Sequence, residues 1–247
     1  MSFAARLLNI FAVPGEVFAE VKTSRICIAN WLVPGLLSSV VAVLAVVLVV
    51  SQPAFQQQMH NLTERVAKAL DQQVKTGKVK EADASRALAQ FRAIMEPNSL
   101  KVLLSTGAAL AGIARVFWWA LLLWLLGRRF LKVRFGYPKA LEVAGLSFMI
   151  NVLGTVVLLL LVVNLPSLFA SPKLALAVTD LDASRKSPLL LGAANVFEFW
   201  LIGVLSVGLA KLAAVPFLRA AWIVLAAWLI QESCFVLLAG AFGLFAL

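Results

Sequence analysis

Five ionisable side chains, Arg115, Glu142, Glu198, Lys211 and Glu232, fall within or at the margins of long apolar runs. In LAGIARVFWWALLLW, from Leu110 to Trp124, Arg115 is the only charge and sits near the middle. A guanidinium stays protonated in proteins. At the centre of a bilayer it costs ~2.5–3.5 kcal/mol on insertion scales. The chemistry such a group demands is neutralisation by an acid on a neighbouring helix. The expected partner is Glu232, with Glu198 as a candidate third member and Asn151 or Gln231 as polar neighbours. Two readings follow. The cluster either fixes helix packing and register, or lines a polar path for protons or small solutes. Glu142 and Lys211 lie near the ends of their runs, where a side chain can snorkel to water, and are expected to do so.

Other chemistry finds little purchase. The single histidine, His60, lacks metal-ligand spacing, and Ser147 has no intramembrane histidine to act as its base. No phosphate-binding or dinucleotide-binding glycine loop and no zinc motif occurs. Cys27 and Cys234 are too few for a disulfide framework and read as small hydrophobes. A non-enzymatic chain without metal or cofactor is expected.

The elements that must position the charged cluster follow from composition. Of 247 residues, 62% are hydrophobic and 14% charged, and the mean hydropathy is +0.94. A soluble domain is nearer ~45–50% apolar and ~25% charged, so this excess needs lipid to cover it. The net charge of +10 is therefore read as topogenic and lipid-facing, not as a nucleic-acid footprint. The fold class expected is all-α: a polytopic five-helix transmembrane bundle with N-terminal interfacial amphipathic helices and an extramembrane helical hairpin. About 20 apolar residues cross the hydrocarbon. Spans are placed at 30–50, 102–126, 140–163, 194–215 and 218–245, with only PFLR between the last two.

Residues 51–101 form the one sizeable extramembrane segment. Leu62, Val66, Leu70 and Val74 recur every four residues, and Ala84, Ala87, Leu88, Phe91, Ile94 and Met95 follow a helical stripe. Gly77 separates the two runs and Pro97 ends the second, which predicts a helical hairpin. Residues 1–29 carry two further amphipathic runs split by Pro14, expected at the membrane interface. Gly127–Lys139 holds five basic residues and no acid, whereas Asn164–Leu191 holds three over twice the length. This bias puts the N-terminus inside and the C-terminus outside.

NIFAVPGEVFAEVKT and NWLVPGLL, between Asn9 and Leu37, resemble the opening of bacterial Yip1-domain proteins. Phe11, Pro14 and Phe18 occupy that family's phenylalanine–proline–phenylalanine positions, and Trp31, Leu32 and Pro34 its tryptophan–leucine–x–proline segment. RFGYPKALEVAGLSFMI resembles the approach to its third span, and FEFWLIGVLSVGLAKLAAVPFLRAAW its fourth, through Trp200 and Gly208. The resemblance implies a five-span fold in the bacterial cytoplasmic membrane. Eukaryotic relatives associate with prenylated Rab-type GTPases. Their tyrosine–glycine segment before the first span is missing here, and Met149, Ile150 and Asn151 stand where a third-span proline is common. The resemblance implies the fold, not that activity. The leading functional expectation is a non-catalytic membrane-organising or protein-interaction role, with the amphipathic N-terminus and the outer hairpin as contact surfaces. Expected partners are the bilayer, other membrane proteins or a second copy of the chain. The alternative function is a small transporter or channel component built on Arg115, Glu198 and Glu232.

Overall fold

The computed structural model describes residues 1–164 and 196–241, and among them the regular structure is helical throughout. The helices are α1 (Phe3–Asn9), α2 (Pro14–Thr23), α3 (Ala29–Val50), α4 (Pro53–Lys75), α5 (Glu81–Met95) and α6 (Pro97–Arg129). They continue as α7 (Tyr137–Ser147), α8 (Met149–Asn164), α9 (Val196–Ala213) and α10 (Phe217–Ala241). Five candidate spans are long and apolar enough to cross a membrane: α3, α6, Tyr137–Leu160 through α7 and α8, α9, and Phe217–Phe235 of α10. The basic residues of Asn164–Leu191, and residues 242–245 of the fifth expected span, lie outside the described residues.

Helix α3 has 22 residues, about 33 Å at 1.5 Å per residue, which matches the hydrocarbon thickness. Helix α6 has 33 and so reaches well past it. Pro97, expected only to stop the preceding helix, is also the first residue of α6. A proline lacks the N–H that a first turn leaves unused, and it holds Glu96 extended (ψ 133°) between α5 and α6. Helices α3 and α6 pack along each other. Ser39 Oγ donates to the Ala109 carbonyl at 2.7 Å, and Gly112 lets α6 close on the Ser39 backbone.

Three features depart from the sequence reading. The third span is interrupted at one residue: α7 ends at Ser147 and α8 begins at Met149, while Phe148 N–H still donates to the Ala144 carbonyl and Val152 N–H to the Phe148 carbonyl, both at 3.0 Å. Ser147 Oγ donates to the Val143 carbonyl at 2.8 Å, a back-bond of the kind that competes with the helix ladder. Helix α2 is not simply an anchor lying on the bundle. Val17, Phe18 and Val21 are fully buried, and Phe18 packs where α9 presents Gly208. An amphipathic face can meet protein as readily as lipid, and here a glycine opens the groove that receives it. Finally, Glu142 does not reach water; it is fully buried.

The hairpin of α4 and α5 turns through Gly77, whose φ of +71° is a left-handed conformation that glycine adopts without penalty. It stands at the Val50 and Pro97 ends of α3 and α6. The N-terminal helices and the basic Gly127–Lys139 segment share the opposite end, where the Lys139 ammonium donates to the carbonyls of Val21 and Ser24 at 2.7 and 2.8 Å.

At that end α1 is tied to α2 by Glu20. The Met1 ammonium at 2.6 Å and the Arg6 guanidinium at 2.9 Å hold its carboxyl below the usual carboxylate value of 4.5. A carboxyl whose folded value is depressed contributes stability above its unfolded value, and that stability is lost as pH falls through the folded one. A spin label on exposed Ala4 is thus expected to stay immobile at neutral pH and to loosen only below pH 4.5. In Glu20→Gln it should be mobile throughout, and a label insensitive to both changes would refute the tie.

Candidate functional site

The cluster expected around Arg115 assembles. Arg115 from α6, Asn151 from α8, Glu198 from α9 and both Gln231 and Glu232 from α10 line one cavity of about 100 Å³. Its apolar walls include Trp119, Phe148, Leu201 and Trp228. The volume accommodates a few water molecules and nothing much larger. The four helices reach it from separate parts of the chain, so the convergence is a property of the packing.

The detailed bonding differs from a simple pair. Among the described residues no ion pair within 4.0 Å joins Arg115 to Glu232. Trp118 Nε1 donates to Gln231 Oε1 at 2.6 Å, and Gln231 Nε2 donates to Glu232 Oε1 at 3.4 Å. The carboxylate is thereby tied to α6 through a tryptophan–glutamine relay. Asn151 Nδ2 donates to Ser38 Oγ at 3.4 Å, linking the cavity wall to α3. Glu198, Glu232 and Asn151 are half-buried, whereas Arg115 is exposed. Trp118, which as a sequence feature looks like ordinary interface tryptophan, and Ser38 are bonding residues that spacing did not single out. For Trp118, its i+3 position from Arg115 was the available signal.

A second polar centre forms around Glu142, expected to reach water but fully buried. The Glu142 carboxylate accepts from the Cys27 N–H and from Asn30 Nδ2, both at 2.8 Å to Oε1. Lys139 Nζ lies 2.8 Å from Oε2, an ion-pair contact, while directing its hydrogen bonds to Val21 and Ser24. This clamp joins α7 to the segment between α2 and α3. Apart from the Lys139–Glu142 pair, three residues apart on one helix, its partners lie 112 to 118 residues apart, and no local motif announces those. Lys139, counted among the topogenic cations of its loop, is therefore also a structural one.

The family-motif residues are brought to the same framework. Trp31 stacks edge-on against Phe117 at 5.3 Å, and Phe11 against Trp200 at 6.0 Å. Pro34 lies inside α3 and is buried. It has no N–H to return to the Asn30 carbonyl, which instead faces Gly145 on α7.

Five helices long and apolar enough to cross a membrane, four of which line a small polar cavity, define an integral, polytopic helical membrane protein. Within that class the chain belongs to the Yip1 domain family, whose pattern it matches over residues 8–239. No curated protein and no solved structure matches it.

Proposed function

We propose that the protein is a non-catalytic membrane-organising protein that docks laterally on other membrane proteins or on a second copy of itself through α6. The observation that carries this reading is the exposure of Arg115, at the edge of the cavity, on a spanning helix. Gly107, Ala111 and Ala114 are exposed on the same helix, and a side chain added at Gly107 would meet open space. Small residues let a partner helix approach closely, and the cation then gains by meeting an acid or amide on that helix. The reading also places the protein in a bacterial cytoplasmic membrane with the N-terminus inside. Supporting this orientation is the shared location of α1, α2 and the basic 127–139 segment at one end of the bundle.

The test is native electrophoresis and cross-linking of the tagged full chain in its own membranes. Gly107→Ile with Ala111→Ile is expected to reduce the associated fraction about tenfold, equivalent to ~1.4 kcal/mol. Arg115→Gln should do likewise while the monomer stays folded. The convergence of Arg115, Glu198 and Glu232 on one cavity favours the second reading, a transporter or channel component. Its signature would be proton or solute flux into proteoliposomes that Glu232→Gln abolishes, with association unaffected by the α6 variants. The small volume of the cavity weighs against that path.

A further inference from the structure

A larger cleft of about 600 Å³ lies where the α4–α5 hairpin meets the ends of α3 and α6. Its floor is Val50 and Leu100, both buried, the former ending one spanning helix and the latter opening another. Phe55, Met59 and Met95 supply its apolar walls. The volume falls in the range of sites for a single small ligand, ~300–1,000 Å³. The floor lies at the ends of two candidate spans, where an acyl chain can enter, and methionine walls adapt to an irregular, flexible chain.

The rim is charged with both signs. Arg92, Glu64 and Glu96 border the cleft and are exposed. Glu64 lies 3.3 Å from His60, and among the described residues no ion pair within 4.0 Å engages Arg92 or Glu96. We infer that this cleft binds one zwitterionic phospholipid bearing a primary ammonium, phosphatidylethanolamine, with an acyl chain against Val50, Met59 and Leu100. Its phosphate meets Arg92 and its ammonium meets Glu64 and Glu96. Charge complementarity selects this occupant. An anionic lipid such as phosphatidylglycerol satisfies the arginine but leaves two carboxylates facing its headgroup without a cation. A choline headgroup has no N–H to donate to them. The inference is independent of the docking face on α6, since the two regions share no residue.

The experiment is native mass spectrometry of the full chain in detergent, titrated separately with phosphatidylethanolamine, phosphatidylglycerol and phosphatidylcholine. One ethanolamine lipid should be retained in preference to the other two. Arg92→Gln, at an exposed helix position, is expected to weaken its binding about tenfold, the effect of removing one charged hydrogen-bonding partner. Glu64→Gln with Glu96→Gln should invert the preference toward phosphatidylglycerol. Met59→Trp should fill the cleft and abolish retention. The native tryptophans all lie outside the hairpin, and their fluorescence reports whether the bundle of each variant remains folded. Equal retention of the three lipids, or undiminished ethanolamine-lipid binding by folded Met59→Trp, would overturn the assignment, as would a polypeptide occupying the cleft in place of lipid.

Discussion

Glu142→Leu is expected to leave little folded protein, with the unfolding transition in detergent lowered far below that of the parent chain. The substitution removes the acceptor of the Cys27 N–H and Asn30 amide and the counter-charge of Lys139 in a site closed to solvent. Breaking one partner out of a buried ion pair costs about 3–5 kcal/mol, a large part of a typical domain's stability. Lys139→Met is expected to be nearly as harmful, because it strands a carboxylate and also releases the carbonyls of Val21 and Ser24. Glu142→Gln should be milder: its carbonyl still accepts at the Oε1 position, and only the ammonium loses its partner. Combining Lys139→Met with Glu142→Leu should cost less than the two single changes added together, since neither charge is then left alone. Tryptophan fluorescence melting of the four variants checks the series. If Glu142→Leu melted with the parent protein, the clamp would not hold the N-terminal segment to α7.

How much of this was visible in the chain depends on whether the signal was local. The spans were legible because lipid requires an unbroken apolar stretch, and α3 and α6 supply theirs in consecutive residues. The hairpin was legible because a four-residue apolar recurrence, a glycine and a proline are read within about 45 positions. The convergence of Arg115, Asn151, Glu198 and Glu232 was anticipated from cost alone: a charge in hydrocarbon must find polar company. The finer geometry was not, because whether a long side chain closes on an acid or stops across a cavity is set by packing at tenths of a nanometre. The same holds for α2, whose Val17, Phe18 and Val21 would present an identical stripe to lipid or to α9. Glu142 misled for a different reason. Nearness to a span end suggests water, but Asn30 and Cys27 fold over it from more than a hundred residues away.

Gly145→Ala is expected to be the most damaging of the small substitutions at the helix crossings. A methyl group there meets the Trp31 Cα and lies 2.7 Å from the Asn30 carbonyl oxygen, and both belong to the backbone of α3. Backbone cannot rotate away as a side chain does, so α3 and α7 must separate. Overpacking typically costs about 1–3 kcal/mol, and a rigid neighbour places this site at the upper end. Separation would also pull Asn30 from Glu142, coupling the crossing to the buried clamp beside it. Gly208→Ala should cost less. The methyl there presses on Val143 Cγ1 and, at 3.3 Å, on Phe18 Cε2, both of which are side-chain atoms with some freedom to yield. Gly203→Ala meets nothing within 4 Å, and alanine's helix propensity should leave that variant unchanged or more stable by about 0.5–1 kcal/mol. Thermal unfolding of the three proteins in one detergent should therefore rank them 203, 208, 145 from most to least stable. A Gly145→Ala protein as stable as Gly203→Ala would mean that α3 and α7 do not cross at this contact, and the clamp around Glu142 would lose its geometric support.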